Sequence, residues 1–285
     1  MMKILVTGKN SFVGNAFKEW LDNYAAQYLI DKISMKEDKW KNYDFSTYDS
    51  LLHVAGIAHV STDPKMKETY LEINRDLTIE VAKKAKKAGI KQFIFMSSII
   101  VYGNRQNVID DKTIPQPSNF YGKSKLQAEE GLKSLESSDF KIAIIRPPMI
   151  YGKGSKGNYP KLAKAARVLP VFPNIDNHRS MIHIDNLSEF IRLIIKNKEN
   201  GLFFPQNEHY VRTSEMVSLI AKTHGKKIRL TKLFNPIIKT LTRKVHLFDK
   251  VFGNLIYEKQ LSEYKEFYQV RNLEESIRKT ELESK

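Results

Sequence analysis

The stretch "TGKNSFVG", residues 7–14, follows the short apolar run Ile4-Leu5-Val6. A chain that leaves a buried strand through a glycine turn and enters a helix at once aims that helix's first N–H groups in one direction. This geometry suits an anion. Gly8 permits the tight turn, and Gly14 permits close packing of helix on strand. Such loops usually carry three glycines, and Ser11 stands where the middle one is expected. Serine keeps the position small and offers a hydroxyl to a phosphate oxygen. Its expected cost is strain, should the backbone there need φ > 0. Alone, the stretch serves equally well as an ordinary strand–helix turn.

Outward from this loop, strands and helices alternate. Strands are predicted at "KILVTG" (3–8), "YLIDKISM" (28–35), "SLLHVAGIA" (50–58), "KQFIFMSS" (91–98) and "KIAIIRPPMI" (141–150). Helical spacing covers 14–24, 67–88 (ending at Gly89, a C-cap residue) and 119–136. Near-continuous apolar strands separated by helices predict an α/β fold with a parallel sheet covered on both faces. After Tyr151 the pattern loosens. Gly and Pro punctuate residues 152–160, 170–173, 201–205 and 236, which predicts a smaller lobe packed on the first.

The composition is that of a globular protein, 41% hydrophobic and 28% charged over 285 residues. It contains no cysteine, which excludes a disulfide scaffold, a thiolate nucleophile and a thiolate zinc site. No metal site is expected. No segment is apolar enough to span a bilayer, and no leader pattern opens the chain, so a cytoplasmic protein is expected. The net charge of +15 raises nucleic acid as a partner. The basic residues are dispersed, however, with no aromatic-interleaved motif, so nucleic-acid binding is not expected. A field that attracts anionic metabolites is the preferred reading.

Two further features carry chemistry. Tyr121 and Lys125, in "FYGKSK", lie four apart on one helix face. An ammonium beside a phenol lowers the phenol's pKa and makes an acid/base for neutral pH. Ser98, in "FIFMSSIIVYG", stands at the C-terminal end of a parallel strand, the edge where open α/β sheets bind ligands.

The order glycine loop, strand-end serine, then Tyr-x-x-x-Lys resembles the extended short-chain dehydrogenase/reductases, the NAD-dependent epimerase/dehydratase family. "RPPMIYGKG" (146–154), "HRSMIHIDNL" (178–187) and "NLEESI" (272–277) resemble further motifs of its nucleotide-sugar branch. The set looks most like the UDP-glucose 4-epimerase-like and 4-keto-sugar reductase subgroup. The resemblance implies a Rossmann-type doubly wound parallel sheet over 1–150. It also implies a substrate-binding lobe over 151–285, with segments near 180–200 returning to the first domain.

The resemblance also implies roles. Tyr121 would be the acid/base, Lys125 would hold the nicotinamide ribose, and Ser98 would bind the reacting sugar hydroxyl. Gly8, Ser11, Phe12, Val13 and Gly14 would face the cofactor pyrophosphate. Ala55 and Gly56, in "VAGIAH", would line its adenosine side, with Asn74 nearby and Pro147 and Pro148 beside the nicotinamide. Asp44 and Phe45 are adenine contacts by the same reasoning. Arg179 would grip the diphosphate of a nucleotide sugar, an anion that a fixed guanidinium fork suits. Asn158 and Phe172 would stand near the diphosphate and the base, with turn and core roles as their ordinary alternatives.

Dehydratases of this branch place Asp-Glu after the catalytic Ser/Thr, whereas Ile99 and Ile100 follow Ser98 here. That leaves 4-epimerisation or reduction of a 4-keto sugar, on a UDP-hexose or UDP-N-acetylhexosamine, for surface polysaccharide. The cofactor is NAD or NADP. If the second strand ends at "YLID", Asp31 favours NAD. If it runs on through "KISMK", Ser34 and Lys36 replace it and favour NADP, the reading preferred here. A homodimer is expected from relatives. A non-catalytic, dinucleotide-binding scaffold is the alternative, opposed by the retained Tyr121 and Lys125. Last, Leu233, Ile237, Ile238, Leu241, Val245 and Phe248 approximate one helix face, with Lys239, Arg243 and Lys244 nearby. A helix packing the small lobe is preferred to contact with a membrane surface.

Overall fold

A computed structural model describes residues 1–58, 63–103, 106–244 and 246–282. Its strands are β1 (Met2–Thr7), β2 (Tyr28–Ile33), β3 (Ser50–His53), β4 (Gln92–Met96), β5 (Val108–Ile109), β6 (Lys141–Ile145), β7 (Met149–Tyr151), β8 (Val171–Pro173), β9 (Met181–His183), β10 (Gly201–Phe203), β11 (Arg229–Thr231) and β12 (Ile256–Tyr257). Its helices are α1 (Phe12–Leu21), α2 (Met66–Tyr70), α3 (Leu77–Lys87), α4 (Phe120–Lys133), α5 (Asn158–Val168), α6 (Ile184–Lys196), α7 (Thr213–Thr223), α8 (Asn235–Lys244), α9 (His246–Phe252) and α10 (Leu273–Leu282).

Six strands form one parallel sheet in the order β10-β6-β4-β3-β1-β2. Side chains alternate between its faces. Ile4, Val6, Ile94 and Ile145 pack under α1 and α6, while Leu5, Leu51, Phe93 and Ile144 pack under α3 and α4. This double burial is why the strands read as continuous apolar runs. The chain passes from β1 to β2 on one side and then to β3 on the other. The switch between β1 and β3 opens a crevice at the strands' C-terminal ends. α6 and β10 belong to this layer, whereas α5, α7, α10 and β8 enclose a separate core around Tyr151, Leu162, Phe172 and Ile220.

Three local readings change. β2 ends at Ile33, between the two ends foreseen, because Gly8 and Lys9 both donate their N–H to the Ile33 carbonyl and turn the first loop across its tip. The 67–88 helix is interrupted by a π-turn over Leu71–Asp76. The proposed face over 233–248 divides. Ile238 is buried and the Phe248 ring packs on Phe252, while Leu233 and Ile237 face outward. Val245 lies outside the described residues. No described helix is long and apolar enough to cross a membrane.

Candidate functional site

The crevice is a cleft of about 1050 Å³ between the sheet edge and the small lobe. At one end, the loop after β1 contributes Ser11, Phe12 and Val13, and the loop after β3 contributes Gly56 and Ile57. Gly8 has φ 90°, and a Cβ there would stand 3.2 Å from the Ala55 backbone. A Cβ on Gly14 would lie 3.0 Å from Val6 Cγ1, so the helix sits on the strand as its sequence required. Ser11 is the N-cap of α1 at φ −71°, and its Oγ accepts from Gly14 N at 3.1 Å. The strain expected there is therefore absent. The position needs a capping oxygen rather than a left-handed residue. α1 has no acidic residue in its first turn, so its N-terminus remains attractive to an anion. A dinucleotide pyrophosphate fits this end.

The centre of the cleft holds Ser98, Tyr121 and Lys125. Asn119 caps α4 by accepting from Gly122 N at 2.8 Å, which sets Tyr121 in the first turn. Gly122 lets α4 press on the Ile99–Tyr102 turn, since a Cβ would meet the Ile100 carbonyl at 2.8 Å. Tyr121 is thereby brought towards Ser98, whose hydroxyl acts on the phenol. Ser98 Oγ also accepts from Ile100 N at 3.3 Å. One turn on, Lys125 Nζ donates to the Met96 carbonyl at 2.8 Å and lies 4.5 Å from the Phe95 ring centroid.

The expected lowering of the tyrosine pKa is not what this arrangement produces. Burial pushes the Tyr121 phenol up to about 12, against the opposing Ser98 hydrogen bond. Burial likewise pulls Lys125 down to about 8, with Glu129 opposing. The lysine directs its ammonium to Met96 rather than to the phenol, so desolvation governs both groups.

Behind them, Glu129 forms a buried cluster that sequence reading did not identify. Arg146 Nη2 meets Glu129 Oε2 at 2.5 Å, Arg146 Nη1 donates to Tyr102 OH at 2.7 Å, and Ser97 Oγ donates to Glu129. The only available signal was i,i+4 spacing from Lys125 and the arginine of "RPPMIYG". Neither marks a partner.

The far end is basic. The glycine-rich loop 152–157 brings Lys153, Ser155 and Lys156 to the cleft, with Asn158 at the start of α5. Ser155 is 8% exposed, and its Oγ has no hydrogen-bond partner. Arg179 lines the same end, its Nη1 donating to the Gly253 carbonyl at 3.0 Å. Lys250 joins from α9, far away in sequence and therefore unforeseen. Pro147 and Pro148 line the wall between the two ends.

Other expected residues stand back from the cleft. Asn74 is fully buried. Its Oδ1 accepts from Ile57 N at 2.8 Å and its Nδ2 donates to the Ile57 carbonyl, so it holds the β3 loop. Ala55 is buried behind that loop. Phe172 sits in the small-lobe core against Phe252, with ring centroids 5.8 Å apart, and does not line the cleft. Phe45 is core and Asp44 is exposed, accepting from Ser46 N. Ser34 and Lys36 are exposed beyond β2, and Asp31 accepts from the Tyr48 hydroxyl at 2.8 Å.

Residues 4–211 match the NAD dependent epimerase/dehydratase family. UDP-glucose 4-epimerase from Vibrio cholerae is 32% identical over 246 residues, covering 76% of this chain and 74% of the relative. N-acetyl-alpha-D-glucosaminyl-diphospho-ditrans,octacis-undecaprenol 4-epimerase from Escherichia coli O157:H7 is 27% identical, covering 82% and 76%. Among solved structures, UDP-glucuronic acid 4-epimerase from Bacillus cereus in complex with NAD superposes with a TM-score of 0.71 at 19% identity, covering 98% and 94%. A phosphate-ready strand–helix turn, a Ser-Tyr-Lys group at the sheet edge and a profile match over most of the length agree: the chain belongs to the NAD-dependent epimerase/dehydratase family.

Proposed function

We propose that this protein performs oxidation–reduction at C4 of a sugar carried on a diphosphate, with 4-epimerisation of a UDP-hexose or UDP-N-acetylhexosamine in polysaccharide synthesis as the leading reaction. The carrying observation is that Ser98, Tyr121 and Lys125 share one cleft with the basic loop at Lys153, Ser155 and Lys156. In this reading residues 1–150, with α6 and β10, bind the cofactor, and the small lobe binds the substrate. Two relatives are named for UDP-glucose and for an undecaprenol-linked N-acetylglucosaminyl diphosphate, and both names describe a sugar on a diphosphate.

A nicotinamide, when bound, supplies the hydride acceptor and donor at C4. Tyr121 takes the 4-hydroxyl proton on oxidation and returns it on reduction. A phenol held protonated by burial is the acid that the return step needs. Lys125, one turn away, would favour the phenolate once its ammonium turned from the Met96 carbonyl towards the phenol. Ser98 holds the reacting oxygen. Ser155 Oγ, the N–H groups opening α5 and the Arg179 guanidinium hold the diphosphate. Ile99 and Ile100 line the cleft after Ser98 and supply no carboxylate, which speaks against dehydration.

A second reading, reduction of a 4-keto sugar with NADPH, draws support from Ser34 and Lys36 standing exposed at the tip of β2. Mass spectrometry of nucleotide released from the purified protein separates the two, combined with product analysis on UDP-glucose and UDP-N-acetylglucosamine. Retained NAD with interconversion of 4-epimers supports the epimerase. Freely lost NADPH, with turnover only of a 4-keto sugar, supports the reductase. Turnover of neither kind of substrate overturns the enzymatic reading.

A further inference from the structure

One surface of the small lobe is both apolar and basic, and the proposed chemistry makes no use of it. Leu233 is 77% exposed, Ile237 63% and Phe234 44%. Strand pairing and a side-chain bond hold the two segments together. β11 pairs with β8 in the register Arg229 to Val171, Arg229 N donates to the Pro170 carbonyl, and Asn235 Nδ2 donates to the Asn174 carbonyl. The exposed side chains of Leu233, Phe234 and Ile237 therefore follow the C-terminal end of one short parallel ribbon.

The charge along the two segments is basic, with Asp176, paired to Arg212, beyond the end of one of them. The sequence carries no Asp or Glu from residue 156 to 175 or from 216 to 248, while lysines and arginines recur through both segments. Arg167 and Lys222 pair with Glu281 and Glu274 of α10. Among the described residues, Lys164, Lys227, Arg229 and Lys232 form no ion pair. Apolar side chains at a turn and the first turn of a helix, in a segment rich in cations, match the chemistry of an anionic bilayer surface. Leucine, isoleucine and phenylalanine enter the acyl boundary, and lysine and arginine meet lipid phosphates. A second copy of this chain is a poor occupant, because a two-fold contact would set this basic face against itself.

We propose that this face docks the protein on an anionic lipid bilayer. α8, which begins at the patch, runs into α9, whose Asp249 and Lys250 line the cleft. Recruitment itself does not depend on the proposed sugar chemistry.

Co-sedimentation of the full chain tests it, using vesicles rich in phosphatidylglycerol and vesicles of phosphatidylcholine alone. The expected result is at least about tenfold more protein pelleted with the anionic vesicles, falling at high salt. The combined Leu233→Glu, Phe234→Glu and Ile237→Glu variant is expected to lose that binding. Its near-UV circular dichroism and cofactor titration should match wild type, since all three side chains are exposed. No pelleting with anionic vesicles overturns the proposal, as does a folded variant that pellets like wild type. A wild-type dimer by sedimentation velocity that ignores vesicles and dissociates in the variant assigns the face to a second copy instead.

Discussion

Tyr121 and Lys125 are both removed from water, and removal from water moves their pKa values apart, up to about 12 for the phenol and down to about 8 for the ammonium. Tyr121→Phe deletes only the phenolic hydroxyl that the proposed reaction uses to move a proton. We expect kcat to fall by roughly 10²–10⁴-fold with cofactor affinity unchanged, the range for loss of a general acid/base. Steady-state kinetics together with nicotinamide fluorescence titration checks this, and unaltered turnover refutes the assignment. Ser155 offers a test at the other end of the cleft. Its Oγ is buried without a partner, so Ser155→Ala should leave stability nearly unchanged or slightly raised. If the hydroxyl holds a diphosphate, KM should rise about tenfold with kcat little affected. A variant with wild-type KM removes Ser155 from the site.

Elements place these residues, and α4 places most of them. Its N-cap at Asn119 sets Tyr121, its contact at Gly122 sets the distance to Ser98, and its third turn carries Glu129. Glu129→Gln leaves the Arg146 guanidinium buried without its counter-charge. The expected loss is about 3–5 kcal/mol, measured by urea unfolding. Glu129 also favours the charged form of Lys125. The pH at which Lys125 loses its proton should therefore move further down in the variant, which a pH–rate profile reads independently of stability. The strands, the main helices and the Ser-Tyr-Lys group were legible because burial on two faces and i,i+4 spacing leave a periodic trace. Glu129 with Arg146, and Lys250 with Ser155, were not, because they meet only through tertiary packing. Phe172 misled for a related reason. An aromatic in a Pro-bounded segment reads the same whether it faces a base or, as here, Phe252.

Across the whole molecule, acid is expected to weaken the fold through buried histidines. His53 lies between the Thr7 and Thr78 hydroxyls, and burial pulls its pKa down to about 3. His183, beside Asp185, is pulled down to about 4. Both folded values lie below the unfolded one, so the unfolded chain binds protons that the native protein does not. Stability is full above about pH 6.5 and declines as pH falls toward 4, by up to about 1.4 kcal/mol per pH unit for each histidine. Thermal unfolding at pH 7.5, 6 and 5 should show the decline, and a His53→Gln variant should show a shallower one. A flat profile contradicts it. The strand order has a consequence of another kind, in time rather than in energy. β10, the last strand of the sheet to be synthesised, covers the edge of β6. Until residues 201–203 have left the ribosome, that edge offers unpaired N–H and C=O groups to any neighbouring chain. Parallel pairings between distant segments also close slowly. The yield of folded protein is therefore set less by the depth of its final well than by how long one strand edge waits for its partner.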